Sequence, residues 1–322
     1  PTLRPQQEAL ADAWRQGLSG QEILQRCAEL VDTFIIDTYK AAPAVQKARG
    51  NIAVIALGGY GRSEFYPYSD IDLLLLHDWW SKKSMQSVVE ALLYPLWDEG
   101  FEVGHSVRGV KDAIQFAQED FHFQVALLDA RLLVGSEELF QDLKTRYAKK
   151  ILDGRRHQFV QTMETHIQER WQKYGSHTYL LEPHVKEGKG GLRDLQAMMW
   201  VAKGVFGLND LAAIESSGML EAGNRQALEN SWSMLAKIRN RLHLLSRRKG
   251  DHLIFEFQQE TANALDYQDQ GGLLGVEHFM RDVYSHLQTV SMVTDLFFEH
   301  VHEVLGLTGG LAVEQQLERS IV

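Results

Sequence analysis

One cysteine in 322 residues allows no internal disulfide and no thiolate metal site, so Cys27 fits a reducing compartment and a cytoplasmic location is expected. Positive charge is short as well. There are 33 Lys and Arg against 43 Asp and Glu, a formal charge of -10, and a surface of that sign repels a phosphate backbone unless a strong basic patch offsets it. Nucleic acid is therefore not an expected partner. Long apolar runs are missing: the longest, Leu73 to Leu76 with Ile71 just before it, falls far short of the roughly 20 residues a membrane helix needs. The N-terminal stretch has no signal-peptide core, and no membrane association is expected. Fixed-period repeats and low-complexity tracts are absent too, which sets aside solenoid and linker architectures.

What is present is a chain with 44% hydrophobic residues and more length than one compact core usually takes, so two domains are expected. Residues 6 to about 41 read as helices, with Ile23, Cys27, Leu30, Val31 and Phe34 forming an apolar stripe and Gly20 and Pro43 as punctuation. Ile52 to Leu57 is short, β-branched and closed by two glycines, as a buried strand would be. A second strand is predicted at Ile71 to His77, a helix over Met85 to Leu96 that stops at Gly100, and a third strand at Phe101 to Val107. Beyond roughly residue 112 the pattern is helical, beginning with Phe123, Leu127, Leu128 and Leu132 and ending at Gly135. Phe159, Met163, Ile167 and Trp171 then step by four along a long helix, and further helices are expected at Leu195 to Val205, Asn224 to Arg247 and His278 to Val304. Tyr179 to Arg193, with Pro183 and three glycines, cannot be a regular helix. The expected class is α+β: residues 1–150 form a small mixed-sheet domain with N-terminal helices, and 151–322 form an all-α domain.

The chemistry concentrates in Gly58-Gly59-Tyr60-Gly61-Arg62-Ser63-Glu64, followed by Tyr68-Ser69-Asp70-Ile71-Asp72 and four leucines. Alternate residues of a strand share a face, so Asp70 and Asp72 point one way while Ile71 and Leu73 point into a core. Two carboxylates that close repel unless a cation lies between them, and hard oxygen donors favour Mg²⁺ or Mn²⁺. Glycines without a β-carbon let a phosphate approach the backbone N–H groups, next to the positive end of a short helix. A bare Asp-x-Asp is explained as well by a strand cap plus an ion pair; the double glycine before it and the leucines after it make the compound pattern specific. Glu102, on the third predicted strand and on one face with Gly104 and Ser106, is the candidate third carboxylate, the competing reading being an ordinary exposed strand residue. His105, alternating with Phe101, Val103 and Val107, reads as a buried, hydrogen-bonded histidine. Lys186-Glu187-Gly188-Lys189-Gly190-Gly191 beside Arg193 combines mobile cations with flexible backbone that suits a triphosphate; by itself it could equally be a solvated turn, and whether it meets nucleotide or protein substrate stays open. The basic run Arg239, Arg241, Arg247, Arg248, Lys249 ends a predicted helix, where cations serve the dipole and the last carbonyls.

Gly58-Gly59 followed by Asp70-x-Asp72 resembles the catalytic signature of the DNA polymerase β-like nucleotidyltransferases. More closely, Leu57 to Leu76, Glu102 to Arg108, Leu181 to Asp194 and Arg241 to Arg247 resemble the bifunctional uridylyltransferase and uridylyl-removing enzyme that modifies the PII nitrogen-signalling protein. The resemblance implies that Asp70, Asp72 and Glu102 hold two Mg²⁺ ions and carry catalysis. It places UTP against Gly58, Gly59 and Ser69, with Arg62, Lys186, Lys189, Gly190, Gly191 and Arg193 as further nucleotide contacts. It implies transfer of UMP to a tyrosine hydroxyl of a PII-type protein with release of pyrophosphate, and a helical domain that covers the base. The family's phosphohydrolase and ligand-sensing domains have no counterpart before Val322, so the removing activity and glutamine sensing are expected to be absent from this polypeptide. His77-Asp78 has no matching metal ligands around it. Two other readings stand beside this one: the same chemistry on another protein or small-molecule acceptor, and a non-catalytic nucleotide-binding module.

Overall fold

The computed structural model describes residues 3–11, 13 and 17–307. They divide into two compact units, Pro1–Gly154 with Arg247–Lys249, and Arg155–Ser246 with Gly250–Val322.

The first unit is built on four strands, β1 (Ile52–Ala56), β2 (Ile71–His77), β3 (Val103–Arg108) and β4 (Arg131–Gly135), in the order β3-β2-β1-β4. β1 runs antiparallel to β2 and to β4, while β2 and β3 are parallel, in register Ile71↔Val103 and Asp72↔Gly104. Both faces of the two central strands are covered, so β1 is buried throughout and β2 is buried at every position except Asp72. One face, with Val54, Ile71, Leu73 and Leu75, packs on Ile23, Cys27 and Val31 of helix Gly20–Ala41 and on Val88 and Leu92 of helix Met85–Asp98. The other face meets helix Glu137–Tyr147 over β1 and β2 and helix Val110–Glu119 over β3. The N-terminal helical stretch is two helices, Leu3–Ala11 and Gly20–Ala41; the second starts at a capping box in which Ser19 and Glu22 each bond the other's backbone N–H.

The apolar run from Phe123 to Gly135 differs from its helical reading. The helix spans only Phe121–Leu128, and Arg131–Gly135 turns back as an edge strand on β1, with a bulge between Val54 and Ile55. Pairing with β1's open edge satisfies backbone groups that local propensity does not register, and the tertiary contact decides the conformation. A short helix at Gly58–Gly61 follows β1, and Leu211–Ser216 and Phe255–Ala264 add short helices between the long ones of the helical stretch.

The second unit is helical: Arg156–Tyr174, Leu192–Phe206, Leu211–Ser216, Ala222–Ser246, Phe255–Ala264 and Gly275–Leu305. Phe159, Met163 and Ile167 are buried as the four-residue step requires, and Trp171 is partly buried with its indole N–H donated to Asp194. No helix among the described residues is long and apolar enough to cross a membrane.

Candidate active site

At the mouth of β2 the alternation does what its pattern requires. Ile71 and Leu73 are fully buried, and Asp72 between them is exposed. Asp70 precedes the strand by one residue, and Glu102 precedes β3 by one rather than lying within it. The Ile71 N–H donates to the Glu102 carbonyl at 2.9 Å, so the two strand entrances are stitched together and Asp70, Asp72, Glu102 and Gly104 share one face. The glycine turn is tied in by the Leu57 N–H, which donates to the Asp72 carbonyl at 2.9 Å. Gly58 then adopts a left-handed φ of 55°, and a β-carbon there would lie 3.7 Å from Asp72 Oδ2. Gly104 leaves room for Asp72: a β-carbon there would stand 2.5 Å from Asp72 Oδ1, and the carboxylate would have to shift aside. Ser69 sits in the turn before Asp70, half-buried, its N–H donated to the Tyr66 carbonyl.

The donor set suits a hard divalent cation, since all three side chains offer carboxylate oxygens at one end of two paired strands. As they lie, the three do not form a closed cage, and no group of three acidic, histidine or cysteine side chains among the described residues does. The cation in this corner is an ammonium. Lys249 bridges the Asp70 and Glu102 carboxylates and stands 2.9 Å from Glu102, whose side chain is 79% exposed. The bond from Lys249 holds the Glu102 carboxyl below the usual carboxylate range. Partial burial works against the charge on Lys249, and the bonds to Asp70 and Glu102 outweigh it, raising its pKa. Lys249 is the site residue that sequence reasoning missed, having been read only as one of a row of cations closing a helix.

Two further residues of this unit, Arg62 and His105, are placed otherwise than expected, and Arg131, on which the sequence is silent, falls into an internal ion pair. Arg62, expected as a phosphate contact, is held by Glu64 at 2.8 Å and Asp129 at 2.5 Å in a largely buried cluster, and these carboxylates outweigh the burial that opposes its charge. It braces the turn after the glycines against the loop that precedes β4. Arg131 is a brace of the same kind, paired with Asp32 at 2.6 Å and donating to the carbonyls of Tyr60 and Gly61. His105 is exposed rather than buried, because β3 is an edge strand whose outer half is not covered.

Comparison with known proteins gives these features a family. A model described as nucleotidyltransferase domain matches residues 39–152, and one described as GlnD PII-uridylyltransferase matches residues 158–298. Curated relatives named bifunctional uridylyltransferase/uridylyl-removing enzyme are similar over most of the chain. The one from Nitrosococcus oceani is 36% identical over 296 residues, covering 92% of this chain and 33% of the relative. The one from Ectopseudomonas mendocina is 34% identical over 303 residues, 94% of this chain and 33% of its own length. A third, from Cereibacter sphaeroides, is 38% identical over 246 residues, covering 76% and 26% respectively. The chain belongs to this uridylyltransferase family. It spans about a third of the length of these relatives and carries the family's nucleotidyltransferase domain.

The stretch matched by the GlnD PII-uridylyltransferase model contains the glycine loop, and its nature differs from a flexible cradle. Gly188, Gly190 and Gly191 are buried, and N–H groups from Gly188 to Asp194 donate in turn to carbonyls of His184, Gly175, Gly188, Val185, Lys186 and Gly191, while that of Gly190 goes to the Asp194 carboxylate at 2.6 Å. Asp194, 2% exposed, also accepts from Arg170 and from the Trp171 indole. Gly190 has φ 76°, and a β-carbon there would fall 2.0 Å from the Leu287 carbonyl oxygen. The cations of the loop are engaged locally. Arg193 pairs with Glu187 at 3.2 Å, Lys186 lies 3.4 Å from Glu187 and 3.8 Å from Asp251, and Lys189 lies 3.8 Å from Asp295. Burial, with Arg239 and Arg193 nearby, brings Lys186 down to about 8. Asp251 is the hub, accepting from Arg239 at 2.6 Å with His243 Nε2 at 3.1 Å. Beside Lys189 a polar cleft of about 370 Å³ opens, lined by Ser176, Thr178, Gln288, Asp295 and Glu299 among others, and burial pushes Asp295 up to about 6.

Proposed function

We propose that this chain is a magnesium-dependent uridylyltransferase that moves UMP from UTP to a tyrosine hydroxyl of a PII-type signalling protein and releases pyrophosphate. The observation that carries the proposal is the pairing of Asp70 and Asp72 at the β2 entrance with the Gly58-Gly59 turn hooked to the same strand, in a chain whose relatives bear the uridylyltransferase name. Asp70, Asp72 and Glu102 would hold Mg²⁺, which when bound supplies positive charge against the phosphates. The N–H groups of the first helical turn at Gly58 and Gly59 have no intrahelical partner and present themselves to the triphosphate beside Ser69. The acceptor oxygen attacks the α-phosphorus, the bond to the β-phosphate bridge oxygen breaks, and pyrophosphate leaves with that electron pair. An unligated carboxylate oxygen of Asp70, Asp72 or Glu102 takes the hydroxyl proton. The Arg62 cluster keeps the turn rigid, so its part in transfer is positional. In the helical unit Lys186, Gly190, Gly191 and Arg193 hold the fold, and Lys189 is the loop cation that faces a cleft.

The test is the intact mass of a PII-type protein after incubation with this chain, Mg²⁺ and each nucleoside triphosphate in turn. The expected result is one UMP added per acceptor chain with UTP and pyrophosphate released in equal amount. An adduct from another nucleotide, or on a different acceptor only, would replace the substrate assignment. Metal-independent UTP binding with no pyrophosphate from any acceptor would make the chain a binding module.

A further inference from the structure

A cation just past a helix end normally serves that helix's last carbonyls. Lys249 does otherwise. Its three-residue segment, Arg247–Lys249, packs with the sheet unit, and Arg247 turns the chain with a left-handed φ of 50°. The ammonium ends on the carboxylates of Asp70 and Glu102, one from the entrance of β2 and one from the entrance of β3, with 45% of the lysine side chain open to solvent. Carboxylates gathered at one strand end repel unless a positive charge lies among them, and lysine is the cation suited to a contact that must be reversible. It is a compact point charge on a flexible four-carbon stem, where arginine would lock on through a planar fork. A partly exposed ion pair of this kind is weak enough to be broken by a competing ion.

We propose that Lys249 is the resident counter-cation of the carboxylate corner: it neutralises Asp70 and Glu102 in the nucleotide-free protein and must be displaced before a divalent ion can use both groups. This rests on the reading that Asp70, Asp72 and Glu102 are the metal ligands. The ammonium occupies one oxygen of each carboxylate, so a divalent ion drawing on both groups meets a like charge in the same corner, and metal binding competes with the lysine bridge. The bridge therefore weakens metal binding in the absence of nucleotide, and the charge leaves without any bond being made or broken.

The experiment follows Mn²⁺ binding to the full chain without nucleotide, read from the paramagnetic signal of the free ion, in wild type, Lys249→Met, Lys249→Arg and Asp72→Asn. Removing the charge in Lys249→Met is expected to tighten Mn²⁺ binding about fivefold, the worth of a part-exposed ion pair, and Lys249→Arg, which keeps the charge, is expected to bind no more tightly than wild type. Unchanged or weaker binding in Lys249→Met overturns the proposal. A readout on the unmutated protein guards against a variant that fails to fold. At fixed pH, Mn²⁺ is expected to raise acylation of Lys249 by an amine-reactive reagent relative to the exposed Lys83 and Lys111, and equal labelling with and without Mn²⁺ overturns it too. Asp72→Asn separates the two levels. If it loses Mn²⁺ while Lys249→Met behaves as wild type, only the lysine inference falls; if it binds Mn²⁺ as wild type does, the metal-site reading falls and this inference with it.

Discussion

A methyl at Gly104 would lie 2.5 Å from Asp72 Oδ1, close enough to displace that carboxylate from its present position. Gly104→Ala should therefore push the carboxylate aside and cost transfer about a hundredfold, the scale of a misplacement of roughly an ångström, while the melting curve stays near wild type because Gly104 is exposed. Full transfer activity in the alanine variant would show that Asp72's orientation is immaterial. Asp72→Asn should reduce pyrophosphate release by at least about a hundredfold, as expected when a charge-stabilising group is lost from a transfer site, with circular dichroism unchanged because the side chain is at the surface. Asp70 and Asp72 were legible in the sequence because strand alternation is local: two positions apart means one face. Arg62 and Lys249 were not. Arg62 has one partner nearby, Glu64, but Asp129, which completes its cluster, and Asp70 with Glu102, which hold Lys249, lie far along the chain, and only folding creates those pairings.

The glycine loop between Glu182 and Asp194 is packed so closely that a side chain has no room at Gly188, Gly190 or Gly191. Gly190→Ala brings both a left-handed φ and a contact 2.0 Å from a carbonyl oxygen, for a combined loss of about 2–4 kcal/mol. Chemical denaturation should show it as a lower midpoint at unchanged slope, and wild-type stability would mean that the loop yields easily. The ion cluster beside it carries a pH signature. Burial opposes ionisation of Glu187, but Arg193 and Lys186 outweigh it and hold the carboxyl at about 2. Arg239 and the His243 bond do the same for Asp251 and keep it well below the usual range. A carboxyl whose folded value is depressed stabilises the fold above its unfolded value, so this contribution is complete above about pH 4.5 and is lost as pH falls toward about 2. Thermal unfolding between those limits should show Tm falling more steeply for wild type than for Glu187→Gln, and equal slopes would contradict the pairing. The strand Arg131–Gly135 shows why part of this architecture escaped the sequence: its leucines fit a helix as well as a strand, and only the open edge of β1 decides. The long amphipathic helices and β1, by contrast, carried their own periodicity.

At the scale of the whole molecule, a small mixed sheet whose one open corner is acidic accompanies a helical unit in which many charged groups, Asp194, Glu187 and Asp251 among them, are already paired. With an overall charge of -10, the chain has no electrostatic reason to track a polynucleotide. RNA or DNA oligomers should show no saturable retention even at low salt, and tight binding that weakens steeply with added salt would reopen templated or terminal polymerisation as its activity. The assignment depends above all on Asp70 and Asp72 gripping a divalent ion where the triphosphate enters. Crystals grown with UTP and Mn²⁺ would settle it through the anomalous signal of the metal. The account predicts a peak within ligand distance of both carboxylates, with the triphosphate against Gly58 and Gly59; a peak and nucleotide elsewhere on the protein, with this corner still bridged by Lys249, would contradict it.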